Sequence, residues 1–186
     1  MSTAPELRRA DRAMTEGEIA AFLNEARHGR LATIGDDGYP YCVPLLHVFL
    51  DGRIYVHGTA AHGHLRANVT SNAKACFEVD EAGDVFPYGR FECDTSIAYR
   101  SVIAFGAIEV VEEGARKKAF FDAFMAKYAD PAWQRPKGFY PRMDKITVYA
   151  ITPARVTGKK LVLPETAQQW PAKDRSMSPD SQPPPS

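Results

Sequence analysis

The chain is poor in cysteine, carries no excess of either charge and has no long apolar run, and each shortage removes a class of protein. Three cysteines, Cys42, Cys76 and Cys93, occur in 186 residues, and none forms a C-x-x-C pair. That odd count argues against a disulfide framework and fits a reducing compartment, with Cys42 and Cys76 expected as small buried apolar residues inside strands. Lys and Arg number 23, as do Asp and Glu, so the formal net charge is zero. A neutral surface is a poor match for nucleic acid or anionic membrane. No segment approaches the roughly 18 uninterrupted apolar residues of a membrane span, and the polar start lacks the apolar core of a secretory signal. The expectation is a soluble, cytoplasmic protein without nucleic-acid or membrane partners.

Familiar catalytic patterns are missing as well. There is no G-x-S-x-G elbow, no Walker A segment, no complete G-x-G-x-x-G and no H-E-x-x-H. What stands out is histidine: four of the five fall between His47 and His64, three of them in His57-Gly58-Thr59-Ala60-Ala61-His62-Gly63-His64. Imidazole clusters suggest a metal, but the residues that follow, Leu65-Arg66-Ala67-Asn68, offer no carboxylate, so no metal is expected. A strand ending at His57, with Gly58-Thr59 and Gly63 leading into a helix, also suits an anion held by chain N–H groups and a helix N-terminus. The plainer alternative is a strand-to-helix loop whose glycines serve only to turn. A chain with so little chemistry of its own is suited to leaving the reaction to a bound cofactor.

The remaining pattern is that of a mainly β protein. Thr15-Glu16-Gly17-Glu18 has the capping-box form and opens a helix carrying Ile19, Phe22, Leu23 and Ala26, with Gly29 expected to end it. Strands follow at Leu31 to Ile34, Tyr41 to Leu50 and Ile54 to His57, joined by the turns Asp36-Asp37-Gly38 and Asp51-Gly52. A helix is expected from about His62 to Ser71, then strands at Ala75 to Val79 and Tyr99 to Val111. Gly114 to Tyr128 reads as an amphipathic helix whose stripe of Phe120, Phe124 and Tyr128 belongs to the core. Lys145 to Ile151 and Ala154 to Leu163 supply one or two final strands, interrupted at Pro153. Six strands joined mostly by hairpins, with flanking helices, imply an antiparallel barrel over residues 1–163. The final 23 residues, Pro164 to Ser186, hold six of the fourteen prolines and few apolar residues, Trp170 being the exception, and are expected to be a disordered tail.

Several segments, in order, resemble the flavin-binding split barrels related to pyridoxamine 5'-phosphate oxidase, and within them the nitroimidazole-resistance branch. They are Gly29-Arg30-Leu31-Ala32-Thr33, then Asp37-Gly38-Tyr39-Pro40-Tyr41-Cys42-Val43-Pro44-Leu45, then Ile54-Tyr55-Val56-His57-Gly58-Thr59-Ala60, then Tyr99-Arg100-Ser101-Val102-Ile103, and finally Val156-Thr157-Gly158-Lys159. The resemblance implies a six-stranded split barrel pairing into a homodimer, with one FMN in each of two clefts lined by both chains. By that analogy Val43, Pro44 and Leu45 lie along the isoalloxazine ring. His57, Gly58, Thr59, His62, His64, Leu65 and Arg66 reach toward the ribityl phosphate, and Tyr99, Arg100 and Ser101 complete the set. His57 matches a histidine beside flavin or substrate, and is the implied catalytic residue. Where relatives often carry Lys or Arg before the helix, this chain has Gly63-His64-Leu65, which leaves Arg66 and the histidines as the nearest cationic groups. The residues that select pyridoxine substrates in the oxidase proper have no match here.

The activity so implied is transfer of electrons from reduced FMN to a small organic acceptor such as a nitroaromatic, with His57 orienting the acceptor or supplying a proton. Against it stand a structural role for His57 at the end of its strand, a flavin-binding or flavin-storing module without turnover, and the same barrel holding haem or a deazaflavin.

Overall fold

The computed structural model describes residues 7–87 and 93–162. In chain order its elements are α1 (Glu16–Glu25), β1 (Gly29–Ile34), β2 (Pro40–Leu45), β3 (His47–Leu50), β4 (Arg53–Thr59), α2 (His64–Ser71), β5 (Lys74–Pro87), β6 (Thr95–Val111), α3 (Gly114–Tyr128) and β7 (Ile146–Leu161). The segment expected to be a tail, 164–186, lies outside the described residues.

Local chemistry places several elements where the sequence predicts them. The Glu18 amide donates to Thr15 Oγ1 at 3.3 Å and the Thr15 amide to the Glu18 carboxylate at 2.9 Å, the reciprocal pair that opens α1. Asp51 and Gly52, at φ 50° and 72°, form the two-residue left-handed turn that joins β3 to β4, with Leu50 opposite Arg53. α3 spans the expected residues, and Phe120 and Phe121 are buried beneath it.

The strands form a seven-stranded sheet in the order β2-β1-β5-β6-β7-β4-β3, with the pairs β1–β2, β1–β5, β3–β4 and β4–β7 antiparallel. The expected count of six fails at Leu46, which breaks the apolar run Tyr41–Leu50. Leu45 is registered with Gly29 of β1, whereas His47 is registered with Val56 of β4. One apolar run thus becomes the two edges of the sheet, and among the described residues no pairing closes β2 onto β3. Pro40 and Pro44 are tolerated because β2 is an edge.

Three further expectations are corrected. α1 ends at Glu25 with Ala26 as its cap, so Gly29 is not its stop but the first residue of β1. A Cβ on Gly29 would stand 2.3 Å from Phe77 Cζ and 2.6 Å from the Glu78 carbonyl oxygen, so the glycine is there for close packing. β7 runs unbroken through Pro153, because the pairing with β4 ends at Ile151 and the proline lies beyond it. Cys42 is exposed and Cys76 only half-buried, since strand alternation turns both to the face opposite the core residues Leu31 and Phe77.

The described residues fall into two compact units, 14–79 with 102–158, and 7–13 with 80–87, 93–101 and 159–162. The larger holds two apolar clusters, one around Phe22, Leu31, Ile54, Phe77 and Ile151, the other joining Val48, Tyr55 and Val148 to Phe120 and Phe121 of α3. β4 separates them by alternation: Ile54 and Val56 enter the first cluster, Tyr55 the second. In the smaller unit, Arg100 on β6 is ion-paired with Glu81 on β5, and Ala13 bridges to Lys159.

Candidate functional site

The end of β4 and the start of α2 form the chemically richest part of the larger unit. Gly58 is registered opposite Thr147 on β7, and a Cβ added to Gly58 would meet only Tyr149 Cε2, at 3.9 Å, so the chain here is open to close approach. The Ala60 amide donates to the Lys145 carbonyl at 3.0 Å, which extends the pairing with β7 one residue past Thr59. α2 then starts at His64 with Gly63 before it and no side-chain cap, which leaves its first-turn N–H groups to an incoming acceptor.

Side chains converge on the same place. Arg66, half-buried in the first turn of α2, donates from its guanidinium to Thr147 Oγ1 at 3.0 Å. Burial raises the pKa of the nearby Tyr149 hydroxyl, and the Arg66 cation acts in the opposite direction. The His64 ring stacks on Tyr41 of β2, with centroids 4.1 Å apart and planes at 23°, which ties α2 to the edge strand. Asn68 fixes the helix from below through a buried hydrogen bond to Thr33 Oγ1 at 3.0 Å. Thr59 and His62 are exposed beside this group.

The remaining expected residues divide by alternation. Val43 and Leu45 pack against the first apolar cluster, as does Leu65, so they have backbone rather than side-chain polar groups to offer. Pro44 lies between them on β2 and is exposed on the opposite face. Tyr99, Arg100 and Ser101 are half-buried on the part of β6 that belongs to the smaller unit. There the Arg100 guanidinium is engaged with the Glu81 carboxylate, its Nε at 3.0 Å.

His57 follows Tyr55 onto the α3 side of β4. Its ring lies edge-on to Phe124 at 4.9 Å and tilted against Phe120 at 5.7 Å, and its Nδ1 is buried without a partner among the described residues. Burial lowers its pKa, so the ring is neutral at pH 7.

Thr147 and Tyr41 are the site residues that sequence reading missed. Tyr41 stood inside a recognised segment without a role, whereas Thr147 carries no local signal at all, since it reaches the site only through the register of β4 with β7. Among the described residues, no group of three or more His, Cys, Asp or Glu is arranged to hold a metal ion. No described helix is long and apolar enough to cross a membrane.

An open helix N-terminus, a half-buried guanidinium beside a hydroxyl, and an unsubstituted strand end suit a phosphate monoester, so the residues present fit the end of FMN that the sequence led us to expect.

Comparison with known proteins agrees with this architecture. A structure from Mycobacterium tuberculosis, of a conserved hypothetical protein, is 27% identical with a TM-score of 0.68, over 87% of this chain and 96% of that one. An FAD and haem binding protein from Mycobacterium smegmatis is 22% identical with a TM-score of 0.65, over 82% and 75%. A candidate 5-nitroimidazole antibiotic resistance protein from Bacteroides thetaiotaomicron is 19% identical with a TM-score of 0.66, over 79% and 85%. No curated protein matches the chain. The family model for pyridoxamine 5'-phosphate oxidase matches residues 15–160, from the cap of α1 almost to the end of β7, and the chain therefore belongs to the pyridoxamine 5'-phosphate oxidase-like family.

Proposed function

We propose that this protein is an FMN-dependent oxidoreductase, acting as a homodimer, whose phosphate-binding site is the β4–α2 corner. The convergence of Gly58, the uncapped first turn of α2, Arg66 and Thr147 is the observation that carries this reading. Membership of the family and the likeness to a flavin- and haem-binding protein support it. Arg66 would supply the charge that relatives often carry in the loop matching Gly63-His64-Leu65, and Thr59 and His64 would stand beside it. When bound, the flavin supplies the electrons that pass to a small organic acceptor, of which a nitroaromatic is the proposed class.

The protein's own part is positional. First-turn amides and Arg66 hold the anionic end, while the backbone of Val43 to Leu45 lines the ring. The neutral His57 keeps the end of β4 packed on Phe120 and Phe124, which supports a positioning role over proton transfer. Arg100 is assigned to Glu81 and not to the phosphate.

The absorption spectrum of the purified protein tests the cofactor. Bands near about 375 and about 450 nm are expected for oxidised flavin. A Soret band without them would replace flavin by haem, and a colourless protein that takes up no added FMN would end the proposal.

A further inference from the structure

Away from the β4–α2 corner, the C-terminal turn of α3 and residues 130–140 enclose a groove of about 650 Å³, within the usual range for small-molecule sites. Its shape is held by the chain itself. The Ala132 amide donates to Asp130 Oδ1 at 2.8 Å, the Trp133 amide to the Asp130 carbonyl at 3.0 Å, and the Arg135 amide to the Trp133 carbonyl at 3.0 Å. Gly138 turns the chain at φ 69°, and Tyr140 returns it to α3 by stacking on Phe121 at 5.1 Å. Within this frame two large aromatics stay in solvent, Trp133 at 47% exposure and Phe139 at 66%. Both line the groove, and exposed large aromatics grouped in one concavity are a feature that calls for an explanation.

The charges indicate which ligand. Of the two acids of the groove, Asp122 is offset by a cation, accepting from Lys118 Nζ at 2.6 Å and from the Tyr140 hydroxyl at 2.9 Å, while Asp130 accepts the neutral Ala132 amide, so one acid charge stands against two cations. Neither Lys137 nor Arg135 has a carboxylate partner among the described residues, and the Arg135 guanidinium lies 4.9 Å over the Trp133 ring, a contact that uses its face and not its N–H donors. We propose that this groove is a second binding site, for a planar aromatic anion, with Trp133 and Phe139 receiving the rings and Arg135 and Lys137 the acid group.

The test uses full-length protein saturated with FMN, carrying Trp170→Phe so that Trp133 is the one remaining tryptophan. Naphthoate is titrated by calorimetry and by Trp133 fluorescence, beside naphthylmethylammonium, which has the same rings and the opposite charge. The site predicts saturable binding of one naphthoate per chain with Trp133 quenched, and at least tenfold weaker binding of the ammonium compound. Arg135→Gln with Lys137→Gln should weaken naphthoate tenfold or more while the melting temperature holds. Equal affinity for the two probes, no loss in the double variant, no binding at millimolar naphthoate, or release of FMN by naphthoate would each overturn it. Protein that takes up no FMN is titrated in the same way, so the second site stands or falls on its own binding curve even where the flavin reading fails.

Discussion

At the scale of single residues, burial decides more than chemical identity. His57 is the clearest case: in the sequence it is a histidine at the end of a strand beside glycine, the profile of a catalytic group, yet alternation from Tyr55 turns its ring onto α3. On the proposed positioning role, His57→Leu should leave FMN affinity and the rate of flavin reoxidation within about twofold. A reoxidation rate slowed tenfold at unchanged flavin affinity would establish the acceptor-orienting role instead.

His47 makes a second residue-scale prediction. It is fully buried, its Nε2 lies 2.8 Å from the Leu23 carbonyl oxygen, and burial together with the Lys127 cation lowers its pKa to about 4. Because the folded pKa lies below the unfolded value of about 6.5, the unfolded chain takes up a proton that the folded chain refuses. Stability therefore falls as the pH drops from about 6.5 toward 4, by up to about 3 kcal/mol. Urea denaturation of wild type and His47→Gln across that range checks it, and parallel pH profiles for the two would contradict it. Gly29→Ala is expected to destabilise by about 3 kcal/mol or more, since backbone at Glu78 as well as the Phe77 ring must give way.

At the scale of elements, the signals that were legible in the sequence are the local ones. The capping box, the Asp51-Gly52 turn and the aromatic stripe of α3 each act within a few residues, and each appears where the spacing puts it. Thr15→Ala removes the acceptor for the Glu18 amide and should lower stability by about 1 kcal/mol, read as a shift in the denaturation midpoint. What stayed hidden depends on pairing at a distance. Nothing near Leu46 announces that β2 and β3 part there, because the run is apolar on both sides and only the partners differ, β1 for one and β4 for the other. Pro153 misled in the opposite direction, since its cost depends on whether a neighbouring strand needs its N–H. The same limit applies to the site: Gly58, His64 and Arg66 lie within one short segment and could be picked out, whereas Thr147 could not.

At the scale of the whole molecule, the proposed flavin cleft, lined by two chains, would require obligate pairing. Light scattering should give twice the 20.6 kDa chain mass, and a monomer binding FMN at full affinity would contradict the shared cleft. The central claim is that the β4–α2 corner holds the flavin phosphate, and FMN titration of wild type, Arg66→Gln and Arg100→Gln, followed by quenching of flavin fluorescence, tests it most directly. Losing a charge-assisted hydrogen bond worth on the order of 2 kcal/mol should raise the Kd of Arg66→Gln by tenfold or more. Arg100→Gln, whose partner is Glu81, should remain within about twofold of wild type. An unchanged Kd for Arg66→Gln with a large loss in Arg100→Gln would move the phosphate to β6 and contradict the account.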